Sequence, residues 1–328
     1  AAKVIAGEIT VTRPEIDRDE ATWEAAIAAS RAVVDAKTGG FAPAPYRALE
    51  LISQARTATR DEGFAAEDAV LGDLVMSDEL RAGLYAFDLV QRRAKRPAGA
   101  PDRALARPVT KVGVVGAGLM ASQLALLFIQ RLEVPVILTD LDQARVDKGV
   151  AYVHAQLDGL AKKGRLNGDR LGRYKGLISG STSKAGFADA DFVIEAVFEE
   201  MGVKQQVFAE VEAVVADTCI LATNTSSLSI TEMASNLAHP ERVVGFHFFN
   251  PVAVMPLLEI IPGEQTDAAA LATGFAVGKA LKKTCILVKD SPSFIVNRML
   301  GRFMGEVGRI VDEGTPVPVA DKGFAGLT

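Results

Sequence analysis

Residues 111–140 read KVGVVGAGLMASQLALLFIQRLEVPVILTD, and the rest of the chain is organised around them. Val112 to Val115 is a short apolar run suited to a buried parallel strand. Gly116-Ala117-Gly118 breaks it, and an apolar segment at helical spacing follows with Met120, Leu124, Leu127 and Phe128. Val134 to Leu138 is a second apolar run, closed by Asp140. Strand, tight glycine turn, helix, strand, acid is the order that a dinucleotide fingerprint requires. Gly116 permits the turn off the strand, and Gly118 lacks a Cβ where a pyrophosphate would approach. The helix that opens there aims unpaired N–H groups and the positive end of its dipole at the phosphates. Asp140 would accept hydrogen bonds from a ribose diol and repel a 2′-phosphate, which favours NAD over NADP. The third small position is Ala121, which the fingerprint tolerates. An ordinary βα turn in another α/β protein is the alternative for the same residues.

Downstream, strands and helices alternate from Val109, which implies a doubly wound, parallel α/β sheet of the Rossmann type. Strands are expected at Phe192–Val197, Cys219–Thr223, Val243–Phe248, Leu257–Pro262 and Cys285–Val288. Helices are expected at Gln143–Lys163, Gly202–Val215, Thr231–Leu237, Ala268–Leu281 and Phe294–Val311, with a second short one ending near Tyr174. Upstream, residues 1–96 read as helices without a strand signal, and Ser77 with Asp78 and Glu79 makes a good helix start. The stretch 97–108, within the basic run RRAKRPAGAPDRALARP, reads as a linker whose charges are solvated. The domains expected are thus 1–96 helical, 97–108 linker, 109–291 nucleotide-binding, and 292–328 the start of a helical C-terminal domain.

The bulk numbers exclude several classes. With 328 residues there is room for two domains. A net charge of −5 and a pI near 5.4 do not favour nucleic acid or an anionic membrane surface. No apolar run is long enough for a transmembrane segment, and no signal peptide is expected. The two cysteines, Cys219 and Cys285, sit in apolar runs, which reads as buried thiols in a reducing, cytoplasmic compartment, with no metal site.

Chemistry is expected at the carboxyl ends of the strands. His247 sits there among Phe246, Phe248 and Phe249, while Glu259 interrupts an otherwise apolar strand. A carboxylate buried alone is costly, so Glu259 needs a partner. If the two strands are neighbours, a His–Glu pair satisfies both and fixes the imidazole tautomer. Beside a nicotinamide, a neutral imidazole can take the proton that an alcohol loses as its carbon loses hydride. Ser226 could hydrogen-bond the same oxygen. A purely structural ion pair and a capping serine fit the same residues.

Together these segments are recognisable. GxGxM, Glu195 to Glu199 (EAVFE) with Lys204, NTSSL at 224–228, GFHFFNPVAVMPLLE at 245–259 and KDSPSFIVNR at 289–298 resemble the L-3-hydroxyacyl-CoA dehydrogenases, in order, over roughly Val109 to Asp321. The resemblance implies NAD-dependent oxidation of (3S)-3-hydroxyacyl-CoA to 3-oxoacyl-CoA, with His247 as general base and Glu259 as its partner. It implies that Ser226, Asn250 and Asn297 hold the 3-oxygen and the thioester end. Asp140, Glu199, Lys204, Met120 and Ser226 would line the cofactor site with Gly116 and Gly118, and Lys162 and Lys163 would face coenzyme A. Residues 64–97, with GDLVMSDELRAGLYAFDLVQRRAKRP, resemble the tail and linker helix that follow the hydratase domain of multifunctional fatty-acid β-oxidation enzymes. That implies a piece of a hydratase/dehydrogenase, whose parent could have a thiolase partner. Ala121 and Gln123 replace glycines the family often has, and of the family's helical C-terminal domain only the first helix, Phe294–Val311, is expected in these residues. A non-catalytic NAD-binding fragment and a dehydrogenase of another hydroxy acid are the alternatives.

Overall fold

The computed structural model describes residues 2–8, 10, 19–93, 95 and 97–324. The remaining positions of the expected helical segment, basic run and C-terminal stretch lie outside the described residues. The chain forms two compact units, Ala1–Asp88 with Asp321–Thr328, and Leu89–Ala320.

The first unit contains α1 (Ala2–Ile5), α2 (Glu20–Thr38), α3 (Pro43–Gln54), α4 (Arg60–Val75) and α5 (Asp78–Asp88). The caps are local in origin. The Asp19 side chain accepts from Thr22 N, Pro43 begins α3 where its missing N–H costs nothing, and Thr59 with Glu62 forms a capping box. Gly39 ends α2 in the left-handed conformation. None of the residues of α2 to α5 is buried, so Ile52, Phe64, Leu71 and Leu84 remain exposed.

The second unit is built on one eight-stranded sheet: β1 (Val112–Val115), β2 (Val136–Thr139), β3 (Ile178–Ser181), β4 (Phe192–Glu195), β5 (Ile220–Thr223), β6 (Val243–Phe248), β7 (Leu257–Pro262) and β8 (Thr284–Leu287). Their order is β3-β2-β1-β4-β5-β6-β7-β8. Helices α6 (Leu119–Leu132), α7 (Gln143–Lys162) and α11 (Ala268–Ala280) pack on one face, burying Leu124, Phe128, Val153 and Val277. Helices α9 (Met201–Glu212) and α10 (Ile230–Ala234) cover the other through Phe208, Val211 and Met233. This is the doubly wound arrangement expected, completed by α8 (Gly168–Gly176) and α12 (Val296–Asp312); α13 (Val317–Phe324) follows α12 and spans the unit boundary after Ala320.

Three features differ from the sequence reading. The sheet is mixed: β1 to β6 are parallel, but β7 runs antiparallel to β6 and carries β8 with it. Only residues 249–256 separate β6 from β7, too few for the crossover that a parallel neighbour needs. Edge strand β3 was not expected, because Ile-Ser-Gly-Ser carries little strand signal. Its Gly180 lets α7 approach closely, since a Cβ there would lie 2.3 Å from Val146. Finally, the linker charges are not all solvated. The Arg107 guanidinium donates to Thr218 O at 2.9 Å, and its backbone N–H donates to Thr273 Oγ1 at 2.9 Å.

Candidate active site

The reversal of β7 sets His247 directly opposite Glu259 across two adjacent strands. Their side chains meet with Nδ1 2.7 Å from Oε2, and both are almost wholly buried. Burial by itself would raise the Glu259 carboxyl, but hydrogen bonds from His247, Val296 and Ile295 outweigh it and hold the group below the ordinary carboxylate value. The ionised carboxylate can only accept, so Nδ1 carries a proton, and the neutral form of the ring is the tautomer with its lone pair on Nε2. Phe249 and Phe294 flank the imidazole, with ring centroids 4.5 and 5.7 Å away.

Glu259 has a second task. Its Oε1 accepts from the N–H groups of Ile295 and Val296, each at 3.0 Å, where α12 begins without an N-cap side chain of its own. The next residue, Asn297, donates through Nδ2 to Ser226 O at 3.1 Å. Ser226 in turn donates from its backbone N–H and its hydroxyl to Glu199 Oε1, at 2.6 and 3.0 Å. Glu199 also accepts from the Thr225 hydroxyl at 2.7 Å and pairs with Lys204 at 3.2 Å. Lys204 is buried and holds both oxygens of the buried Glu195 at 2.9 Å, while Thr223 donates to the same carboxylate. Hydrogen bonds, with one backbone step from Val296 to Asn297, therefore link His247, Glu259, Asn297, Ser226, Glu199 and Lys204. Asn224 adds to it by accepting the Phe248 N–H at 3.0 Å, which anchors the end of the His247 strand. Burial raises Glu199 too, but Thr225, Lys204 and Ser226 bring it below its ordinary value.

A second group holds Asn250. Asn250 Oδ1 accepts from Gln123 Nε2 at 3.2 Å, and Gln123 Oε1 accepts from Val252 N at 2.8 Å. The sequence reading noted Gln123 only as a departure from glycine and missed this role, for which no short-range signal exists. Lys162 and Lys163 are exposed at the far end of α7, whose twenty residues span about 30 Å. They are not brought into either group.

The third element is a cleft of about 970 Å³ at the carboxyl ends of β1 and β4, where the strand order reverses. Gly116, Gly118, Met120, Asp140, Val197 and Phe198 are among its lining residues. The family model for the NAD-binding domain of 3-hydroxyacyl-CoA dehydrogenase matches residues 111–291, more than half of the chain. The chain belongs to the 3-hydroxyacyl-CoA dehydrogenase family. Solved structures agree. The (S)-3-hydroxybutyryl-CoA dehydrogenase PaaH1 of Ralstonia eutropha is 38% identical, with a TM-score of 0.61 over 64% of this chain and 74% of that one. The 3-hydroxybutyryl-CoA dehydrogenase of Escherichia coli is 32% identical, with a TM-score of 0.62 over 65% of this chain and 45% of that one. The dehydrogenase part of multifunctional enzyme 1 from C. elegans is 31% identical, with a TM-score of 0.50 over 56% of this chain and 42% of that one.

The family's NAD fits the cleft. Gly116 has φ +102°, and a Cβ on it would lie 2.8 Å from Ala196 O, so the turn needs glycine. A Cβ on Gly118 would meet nothing within 4 Å, which leaves open space before α6. No side chain caps α6, so its first N–H groups are free for a pyrophosphate. Asp140 accepts from Ala117 N at 2.8 Å and Leu141 N at 2.7 Å, which holds the carboxylate at the position suited to a ribose diol. Arg145 stands 3.6 Å from it. Among the described residues no helix is long and apolar enough to cross a membrane.

Proposed function

We propose that the chain oxidises (3S)-3-hydroxyacyl-CoA thioesters to 3-oxoacyl-CoA in fatty-acid β-oxidation, with His247 as the general base. The observation that carries this reading is the buried 2.7 Å contact between His247 Nδ1 and Glu259, two strands from the β4 edge of the NAD cleft. NAD supplies the acceptor for the hydride lost from the 3-carbon. His247 Nε2 takes the proton from the 3-hydroxyl, and the Glu259 charge stabilises the imidazolium that forms. Phe249 and Phe294 keep water from the ring. Ser226, Asn250 and Asn297 hold the 3-oxygen and the thioester end. The exposed Lys162 and Lys163 meet the coenzyme A phosphates, a role their place at a helix end permits. Glu199 and Lys204 act on the cofactor side by ordering the loop of Ser226. The buried free thiols Cys219 and Cys285 accord with a cytoplasmic, reducing setting.

Similarity to the dehydrogenase part of a multifunctional enzyme supports a multifunctional parent, and from the resemblance of residues 64–97 to the segment after a hydratase domain we further propose an enoyl-CoA hydratase activity and a thiolase partner for it. The test is NADH formation from (3S)-3-hydroxybutyryl-CoA and longer thioesters. His247→Ala is expected to reduce kcat by about 100- to 10,000-fold with NAD affinity unchanged. Turnover of that variant at the wild-type rate refutes the role given to His247. Binding of NAD without turnover by the parent chain would leave a nucleotide-binding piece only.

A further inference from the structure

Gln123 is the fifth residue of α6, the helix whose N-terminus faces the NAD cleft, yet its side chain turns to the loop that joins β6 to β7. Val252 in that loop is fully buried, so its backbone N–H requires a protein acceptor. A backbone N–H can only donate. Gln123 must therefore present Oε1 to it, and the other end of the amide, Nε2, must face Asn250. Nε2 can only donate, so Asn250 must answer with Oδ1. The polarity of two side chains is fixed by one backbone donor, and Asn250 Nδ2 is left to donate elsewhere. On the opposite side of Val252, Lys283 Nζ donates to Val252 O and, at 2.7 Å, to Met255 O, while lying 6.0 Å from the Phe248 ring centroid. The segment 250–255 is thus held from two sides, and reversing the exposed Asn250 amide would set its NH2 against the Gln123 NH2, whose direction the buried Val252 N–H fixes.

We propose that Gln123 is a positioning residue: it forces Asn250 to meet the acyl thioester as a hydrogen-bond donor, matched to the carbonyl oxygens of a 3-oxoacyl thioester. This rests on the reading of Asn250 as a substrate contact. It also ties the nucleotide-binding helix to the substrate side of the site through a single side chain.

The test uses the full chain and the nearly isosteric Gln123→Glu. A carboxylate still accepts from Val252 N, so the fold is kept, but it cannot donate to Asn250. Asn250 must turn its Nδ2 inward and offer an acceptor to the substrate. The expected result is an affinity for acetoacetyl-CoA, read by calorimetry, that falls about tenfold or more, with NAD affinity within about twofold. The pair is coupled, so in an Asn250→Ala background Gln123→Glu should change acetoacetyl-CoA affinity by less than about twofold. Acetoacetyl-CoA affinity unchanged in Gln123→Glu, or an equal loss in the Asn250→Ala background, overturns the proposal; the latter would mark simple charge repulsion. Amide exchange at Val252 gives a readout free of any substrate. Gln123→Ala should accelerate it and Gln123→Glu should not, and unchanged exchange in Gln123→Ala also overturns the clamp. Absence of turnover in the parent chain would count against the dehydrogenase reading while leaving the exchange result to decide the clamp.

Discussion

Glu259→Gln is the sharpest perturbation the site allows, because shape is kept and only charge and one acceptor are lost. The wild-type carboxylate accepts three hydrogen bonds, from His247 Nδ1 at 2.7 Å and from the Ile295 and Val296 N–H groups at 3.0 Å. A glutamine has one oxygen and one NH2, so it must choose. If the NH2 faces α12, two backbone N–H groups oppose two donors, and each loses an acceptor at about 1–3 kcal/mol. If the oxygen faces α12 instead, both backbone bonds survive and the NH2 faces His247. Nδ1 must then accept, and the ring proton moves to Nε2, the atom needed as the base. The second arrangement is the cheaper one. Its stability cost is the difference between charge-assisted and neutral bonds, about 1–2 kcal/mol. Its cost in catalysis is the whole of the general-base contribution, about 100- to 10,000-fold in kcat, equivalent to about 3–5 kcal/mol. The assay is NADH absorbance with (3S)-3-hydroxybutyryl-CoA, beside thermal unfolding and NAD calorimetry on the same preparation. A variant that unfolds within a few degrees of the parent, binds NAD normally and retains kcat within tenfold would refute this account of the pair.

Other outcomes follow from the same structure. Lys204→Met strands the buried Glu195 and the half-buried Glu199 without their cation, and chemical denaturation should show a loss of about 3–5 kcal/mol. Burial pushes the thiols of Cys219 and Cys285 up to about 12, so neither should react with a disulfide reagent at pH 8 until denaturant is added. Glu199, Glu212 and Glu259 lie below their ordinary value of 4.5, and Asp290 below 3.8, each because hydrogen bonds outweigh burial, helped by Lys204 at Glu199 and Arg242 at Glu212. Their stabilisation is complete above those ordinary values and is lost as pH falls through the lower folded ones. The unfolding temperature should therefore fall progressively below about pH 4.5, and a profile unchanged to pH 3 would contradict the assignment.

How far the sequence carried the reading depends on where the deciding interaction lies. The glycine turn, Asp140 and the helix between them are local, so thirty residues sufficed to place the cleft. The His247–Glu259 contact was accessible because a carboxylate inside an apolar run demands a partner and His247 stands among phenylalanines at a nearby strand end. The reversal of β7 was legible too, in the shortness of residues 249–256, but the expected parallel sheet overrode it. Edge strand β3 was beyond reach, since a Gly-Ser stretch becomes a strand only through β2 and the close approach of α7. Gln123 was equally out of reach: its partners lie 127 and 129 residues away. Arg107 failed for the same reason, its acceptor being a carbonyl 111 residues on.

The shared duty of Glu259 makes the pair asymmetric. Remove the imidazole, and the carboxylate still has two N–H donors and a helix end to hold, so the fold survives with its chemistry gone. Remove the carboxylate, and three donors lose their acceptor together. A comprehensive substitution scan that records abundance and turnover separately should see this as two unlike neighbours. His247 should tolerate many replacements in abundance and almost none in turnover, while Glu259 should fail in both, glutamine alone keeping abundance because its oxygen can still serve α12, so base and orienter cannot be retuned independently.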